Sequence, residues 1–239
     1  DQSYMSAPAT GSILYMVEMP PEPPLTYWAN LQLAYAALLE HRKDEINDLH
    51  VVYDYSVRQS TYDDEPEMPA EMRRKTPPVT HPLVNRHPQT GYPALYLDPT
   101  TAAGIKGWSD TQSKTLLDEL ITYARQVDFI YAHEWQIGDV VMWDNGFLMH
   151  RRDAFDSAHN RLLKRTTLKL PPDRHIVPPG KPVTETVNVF DPIRVFRPNH
   201  ACVALENAHP RSAYRPVFRR PDRLQGMAYR GIPLRHRSS

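Results

Sequence analysis

The stretch Trp135-Gln-Ile-Gly-Asp-Val-Val-Met-Trp-Asp-Asn-Gly-Phe-Leu-Met-His150 decides how this chain reads. It is a strand, a turn and then a histidine. Two arginines follow on a second strand: Arg161 and Arg165 lie eleven and fifteen residues beyond His150. A neutral imidazole is a good ligand for iron. A guanidinium grips a carboxylate through two parallel hydrogen bonds. The arginines are four residues apart, so on a strand both face one side. Two inward guanidinium groups without an anion are costly. The pattern implies a metal working beside an anionic co-substrate.

Working outward, short strands dominate. Gly11–Met19, Leu25–Ala29, Leu49–Tyr55, Leu83–Arg86, Ala94–Leu97, Phe129–Trp135, Val140–Trp143, Met149–Asp153 and Leu162–Leu170 have strand composition. Helices are expected over Leu31–Glu40 behind an Asn30 cap, over His41–Asp48, and from Ser109 to Arg125. In the last, Ser109 with Gln112 forms a capping box, and Leu116, Leu117, Leu120, Ile121 and Ala124 form the buried stripe. Residues 58–80 lack periodicity and read as a long loop or lid. The class is mainly β with inserted helices, a sandwich or barrel of jelly-roll type. With nine glycines and no glycine-rich loop, a phosphate cradle is not expected.

Hydrophobic residues, 41% of the 239, suffice for a core, and no apolar run reaches the roughly 20 residues that span a bilayer. No leader is visible at residue 1, and the single Cys202 excludes an intramolecular disulfide framework, so a reducing cytoplasm is the expected home. Charge is unevenly spread: residues 171–239 carry +7 and eleven of the 24 prolines, and the rest carries −7. The chain is therefore divided into a domain over 1–170 and a Pro/Arg-rich extension over 171–239. The extension lacks a Lys/Arg run or nucleic-acid motif, so neither nucleic acid nor membrane is expected as partner. It is read as packing on its own domain or a neighbouring subunit, in a homo-oligomer.

Several motifs in order carry a resemblance. Asp1-Gln-Ser-Tyr-Met5, the strand Gly11–Pro20, Leu25-Thr-Tyr-Trp-Ala-Asn30, Thr80-His-Pro-Leu-Val-Asn-Arg-His-Pro-Gln-Thr-Gly91 and Gln136–His150 with its two arginines are similar to the taurine dioxygenase / 2,4-dichlorophenoxyacetate dioxygenase family (TauD/TfdA). The resemblance implies a double-stranded β-helix (jelly roll) that uses Fe(II), 2-oxoglutarate and O2. It implies Asp1 and His150 as iron ligands, and Thr26 with Arg161 on the far carboxylate of 2-oxoglutarate. It places Arg165, Gln2 and Tyr4 at the primary substrate, a small anionic molecule. The implied reaction hydroxylates a small organic acid and decarboxylates 2-oxoglutarate to succinate and CO2.

The family's proximal histidine falls two positions before Asp1, so the N-terminal part of the family fold is read as absent from this chain. From that comes the alternative, an inactive jelly-roll binding or scaffold protein without iron. A cupin-type metal enzyme is a further alternative, which the two-arginine spacing opposes. His81 and His87, beside prolines, are read as structural. His133 has no nameable partner, and Trp143, Asp144 and Asn145 are read as shaping the turn and core.

Overall fold

The computed structural model describes residues 2–61, 68–87, 91–169, 193–197 and 200–204. The chain opens with β1 (Gly11–Glu18) and β2 (Thr26–Asn30), then α1 (Leu31–Ala36), α2 (Glu40–Ile46), β3 (His50–Tyr53), α3 (Tyr55–Thr61) and α4 (Ala70–Lys75). Next come β4 (Val79–Pro82), β5 (Val84–Arg86), β6 (Pro93–Leu95), β7 (Ala102–Ile105) and α5 (Asp110–Ala124). The remaining strands are β8 (Ile130–His133), β9 (Val140–Asp144), β10 (Leu148–Arg152), β11 (Leu162–Leu168), β12 (Ile193–Arg197) and β13 (His200–Ala204).

Two antiparallel sheets build the jelly roll. The larger runs β11-β1-β9-β12-β13 and the smaller β10-β2-β8. Alternation along each strand sends one set of side chains between them. Met16, Val141 and Trp143 of the larger sheet meet Trp28 and Leu148 of the smaller in one buried cluster that also takes in Trp135. The Trp28 and Trp143 rings touch edge to face across the gap, 5.5 Å apart. These two indoles fix the spacing of the sheets.

The turn Asn145–Phe147 carries the chain from the larger sheet to the smaller. Asp144 accepts from the Gly146 backbone N–H at 2.8 Å, and a Cβ at Gly146 would stand 3.2 Å from the same carboxylate, a tight contact that the Asp144 side chain would have to relieve. The buried Asn145 side chain bonds the carbonyl of Ala9 and the hydroxyl of Ser12, tying the turn to β1. The expected structural role of Asp144 and Asn145 is what these contacts provide.

A second core lies in a helix-bearing lobe, where α1 and α5 pack with β3, β5, β6 and β7. Helix α5 starts at the expected capping box, with both Ser109 and Gln112 engaged, and it buries the expected stripe. Helix α1 is shorter than its periodicity suggests. It stops at Ala36 because residues 37–39 turn before α2 begins at Glu40.

Residues 58–80 depart from the expected loop. Helix α3 continues to Thr61, α4 spans Ala70–Lys75, and β4 begins at Val79. Helix α4 buries no residue, so it has no apolar period to read. Its signals are charge placement: Glu71 in the first turn, Arg73, Arg74 and Lys75 in the last, and an i,i+4 pair between Glu71 and Lys75. Beyond β9 the larger sheet continues through β12 and β13. Arg161 precedes β11 by one residue, so only Arg165 of the two arginines lies on that strand.

Candidate metal and anion site

His150 sits on β10 opposite Trp28 of β2, and its ring lies 4.9 Å from Trp143. It shares the inward face of β10 with the buried Leu148. Burial, reinforced by the positive charge of the amino group at residue 1 and then by that of Arg165, pushes its pKa down to about 3. The imidazole is therefore neutral at pH 7, the form that binds a metal. Arg165 pairs with Leu14 on the facing sheet, and its Nη2 donates to the Ser12 hydroxyl at 3.1 Å. Ser12 is fully buried on the inward face, which places Arg165 on that face as well.

Thr26 starts β2, is buried, and lies between Arg152 of β10 and His133 of β8. Its Oγ1 accepts from Trp135 Nε1 at 2.8 Å, which leaves its own proton to donate. Behind it stands a support that the sequence reading missed. The His133 ring lies edge to face with Trp135 at 4.7 Å, and its Nε2 is 3.0 Å from Asp139 Oδ2. Asp139 also accepts from the Gln136 backbone N–H at 2.9 Å, across a turn where Gly138 takes a positive φ of 89°. The available signal was a fully buried aspartate in Gln-Ile-Gly-Asp, six residues from a histidine.

Arg161 has a buried Nε with no hydrogen-bond partner among the described residues. Its guanidinium lies 5.8 Å over the Phe155 ring, and that of Arg152 lies 4.7 Å over the same ring. Burial, then the neighbouring charge of Arg152, lowers the Arg161 pKa. Both effects call for an acceptor or an anion.

Asp1 lies outside the described residues. Gln2 follows it in the left-handed region, φ 59°, with a buried side-chain oxygen that has no hydrogen-bond partner among the described residues. Tyr4 packs edge to face on Tyr55 at 4.8 Å and leans on the helix-bearing lobe. Among the described residues no group of three His, Cys, Asp or Glu gathers as a metal cluster. His150 and Thr26 thus stand on neighbouring strands of the smaller sheet with the Trp143 ring beside His150, the exposed Arg165 comes from the larger sheet, and Arg161 lies beside Arg152 and Phe155. His81 and His87, read as structural, bond the Met5 carbonyl (Nε2 donating, 3.0 Å) and lie 3.7 Å from Asp144, respectively.

The fold and these residues define a jelly-roll protein whose interior offers a neutral imidazole and guanidinium groups. The chain belongs to the family described as taurine catabolism dioxygenase TauD, TfdA family, which matches residues 1–167. It is 32% identical over 167 residues to the alpha-ketoglutarate-dependent 2,4-dichlorophenoxyacetate dioxygenase of Burkholderia sp. (strain RASC), covering 70% of this chain and 56% of that protein. It is 31% identical over 168 residues to the (S)-phenoxypropionate/alpha-ketoglutarate-dioxygenase of Sphingobium herbicidovorans, covering 68% and 58%. Among solved structures, AAD-2 in complex with Mn(II) and N-oxalylglycine superposes with a TM-score of 0.67 at 32% identity, over 72% of this chain and 68% of that one. The chain thus spans a little over half the length of these curated relatives.

Proposed function

We propose that the protein is an Fe(II)- and 2-oxoglutarate-dependent dioxygenase that hydroxylates a small anionic organic acid. The observation that carries this reading is an inward His150 whose burial disfavours the protonated ring, in a chain whose Arg161 also has a buried Nε with no acceptor among the described residues. Both fit the missing groups: a deprotonated nitrogen for a metal and an unsatisfied donor for a carboxylate. Held by His150 and Asp1, an Fe(II) ion would supply O2 activation coupled to the oxidative decarboxylation of 2-oxoglutarate to succinate and CO2.

His150 supplies one nitrogen donor, and Asp1 is proposed as the carboxylate donor. Burial keeps His150 unprotonated, so no proton competes with the metal at neutral pH. Arg161 and the Thr26 hydroxyl hold the far carboxylate of 2-oxoglutarate. Trp135 orients Thr26 by donating to its oxygen. Trp28 and Trp143 exclude water beside His150. Arg165, with Gln2 and Tyr4, faces the primary substrate. The names of the relatives favour an aryloxy acid, whose carboxylate suits Arg165. A cytoplasmic homo-oligomer completes the reading.

The test is binding and turnover of 2-oxoglutarate by the parent and by Arg161→Ala. Succinate should form only with Fe(II). Losing one charged partner of a carboxylate typically costs about 2–5 kcal/mol, so co-substrate affinity should fall at least about thirtyfold. An unchanged affinity would remove Arg161 from the co-substrate, and succinate formation without Fe(II) would overturn the reaction class.

A further inference from the structure

A further arginine stands at the Thr26 end of the smaller sheet. Arg152 is the last residue of β10 and pairs directly with Thr26, the first residue of β2. Residues directly opposite in an antiparallel pair point to one face, with their Cβ atoms about 4.5–5.5 Å apart. That face is the inward one. Two residues back on β10, His150 meets the Trp143 ring of the facing sheet, and two residues on along β2, Trp28 meets the same ring. The Arg152 side chain therefore leaves the backbone beside the buried Thr26, at a strand end where the arginine itself is exposed.

From there the guanidinium rests over Phe155, 4.7 Å from the ring centroid, and that of Arg161 lies 5.8 Å from the same centroid. One half-buried ring thus gathers two positive charges. The carboxylates nearest in sequence are committed elsewhere. Asp153 faces Arg151 at 3.4 Å and accepts from the Tyr27 hydroxyl at 2.7 Å, and Asp156 accepts from the Ala158 N–H and faces His159. Arg152 spends one donor, Nη1, on the Asp153 backbone carbonyl at 2.8 Å. Arg161 keeps a buried Nε without an acceptor among the described residues. Two like charges and an unsatisfied donor at one place call for an anion with several acceptor directions. The contacts also join residues that are far apart in the chain: Thr26 pairs with Arg152, and Arg152 shares Phe155 with Arg161.

We infer that Arg152 is a second guanidinium of the co-substrate pocket: with Thr26 and Arg161 it binds the far carboxylate of 2-oxoglutarate, while Phe155 gives both cations a ring to rest on. This rests on the proposed 2-oxoglutarate site. A carboxylate offers about four acceptor directions. A forked Arg161 and the Thr26 hydroxyl use three, which leaves one for Arg152. The bound carboxylate also offsets the repulsion between the two guanidinium groups. Arg152 is the more exposed of the two, so its share of the binding is the smaller.

The experiment is calorimetric binding of 2-oxoglutarate, under exclusion of oxygen, to the Fe(II)-loaded protein. 2-Oxobutyrate, a keto acid without the far carboxylate, is the comparison ligand. Arg152→Ala should weaken 2-oxoglutarate binding roughly five- to twentyfold, less than Arg161→Ala does. It should leave 2-oxobutyrate binding and the unfolding temperature unchanged. Arg152→Lys keeps the charge without the fork and should recover part of the loss. The loss should persist in about 0.5 M salt, where a long-range attraction without contact is screened. If Arg152→Ala folds poorly, Arg152→Gln takes its place with the same expectation. Arg161→Ala is run in parallel. If it leaves 2-oxoglutarate affinity unchanged, the co-substrate reading itself falls. If it weakens binding while Arg152→Ala binds 2-oxoglutarate as the parent does, the inference is overturned. It is overturned equally if Arg152→Ala weakens both keto acids alike, or if its effect vanishes in salt.

Discussion

Arg165 is the residue whose role the fold sharpens most. It stands on β11, is largely exposed, donates to the buried Ser12 hydroxyl, and its charge helps to disfavour the protonated form of His150. Arg161 reaches the interior differently, from the residue before β11, beside Arg152 and Phe155. The two guanidinium groups thus keep separate company, which fits one anion each. Arg165→Gln keeps hydrogen-bonding capacity and removes the charge. The expected result is loss of coupling between succinate release and hydroxylation for sulfonates and aryloxy acids, with 2-oxoglutarate affinity little changed. Wild-type coupling on every acid the parent turns over would reject the anion-selecting role.

At the scale of elements, β2 and α1 act as one unit. Asn30 ends the strand that carries Thr26 and caps the helix that follows, its Oδ1 accepting from the Gln32 and Leu33 N–H groups at 3.1 and 3.0 Å. Helix α1 has no acidic residue in its first turn to share that task. Asn30→Ala should therefore cost about 1 kcal/mol of stability, measured by urea unfolding. An unchanged midpoint would mean that the Leu31 N–H bond to the Phe147 carbonyl suffices to hold the junction. A helix that buries nothing, such as α4, has no hydrophobic period, so pattern reading passes over it.

For the whole molecule, the central arrangement is a jelly roll beside a helix-bearing lobe, and the lobe holds residues 3–5. His81 makes one of these contacts. Its ring is buried among Tyr53 and Tyr96, and burial lowers its pKa below the ordinary 6.5. The folded state thus prefers the neutral ring, while the unfolded chain takes up a proton as pH falls through about 6.5. Its contribution is fully present above that pH and is lost as pH falls toward the depressed folded value. Stability should therefore decline below about pH 6.5 less steeply in His81→Gln, which still donates to Met5, than in the parent. Equal slopes in unfolding measured from pH 7 to pH 5 would exclude His81 as a contributor.

The sequence by itself determined the local signals: the strands around Trp143 and His150, the capping box at Ser109, the buried stripe of α5 and the ordered motifs of the TauD/TfdA family. These depend on near neighbours and on alternation, so they are written in short windows. Only the tertiary structure decided which distant groups meet. His133 acquires Asp139 and Trp135 as partners because β8 lies beside β2. Ser3 acquires Asp98 across 95 residues of chain because the segment after β6 folds back on residues 3–5. His150 has its pKa lowered first of all by burial, to which Trp143 of the facing sheet contributes at 4.9 Å. No window of sequence contains those encounters, since burial and charge at a site are set by elements far apart in the chain.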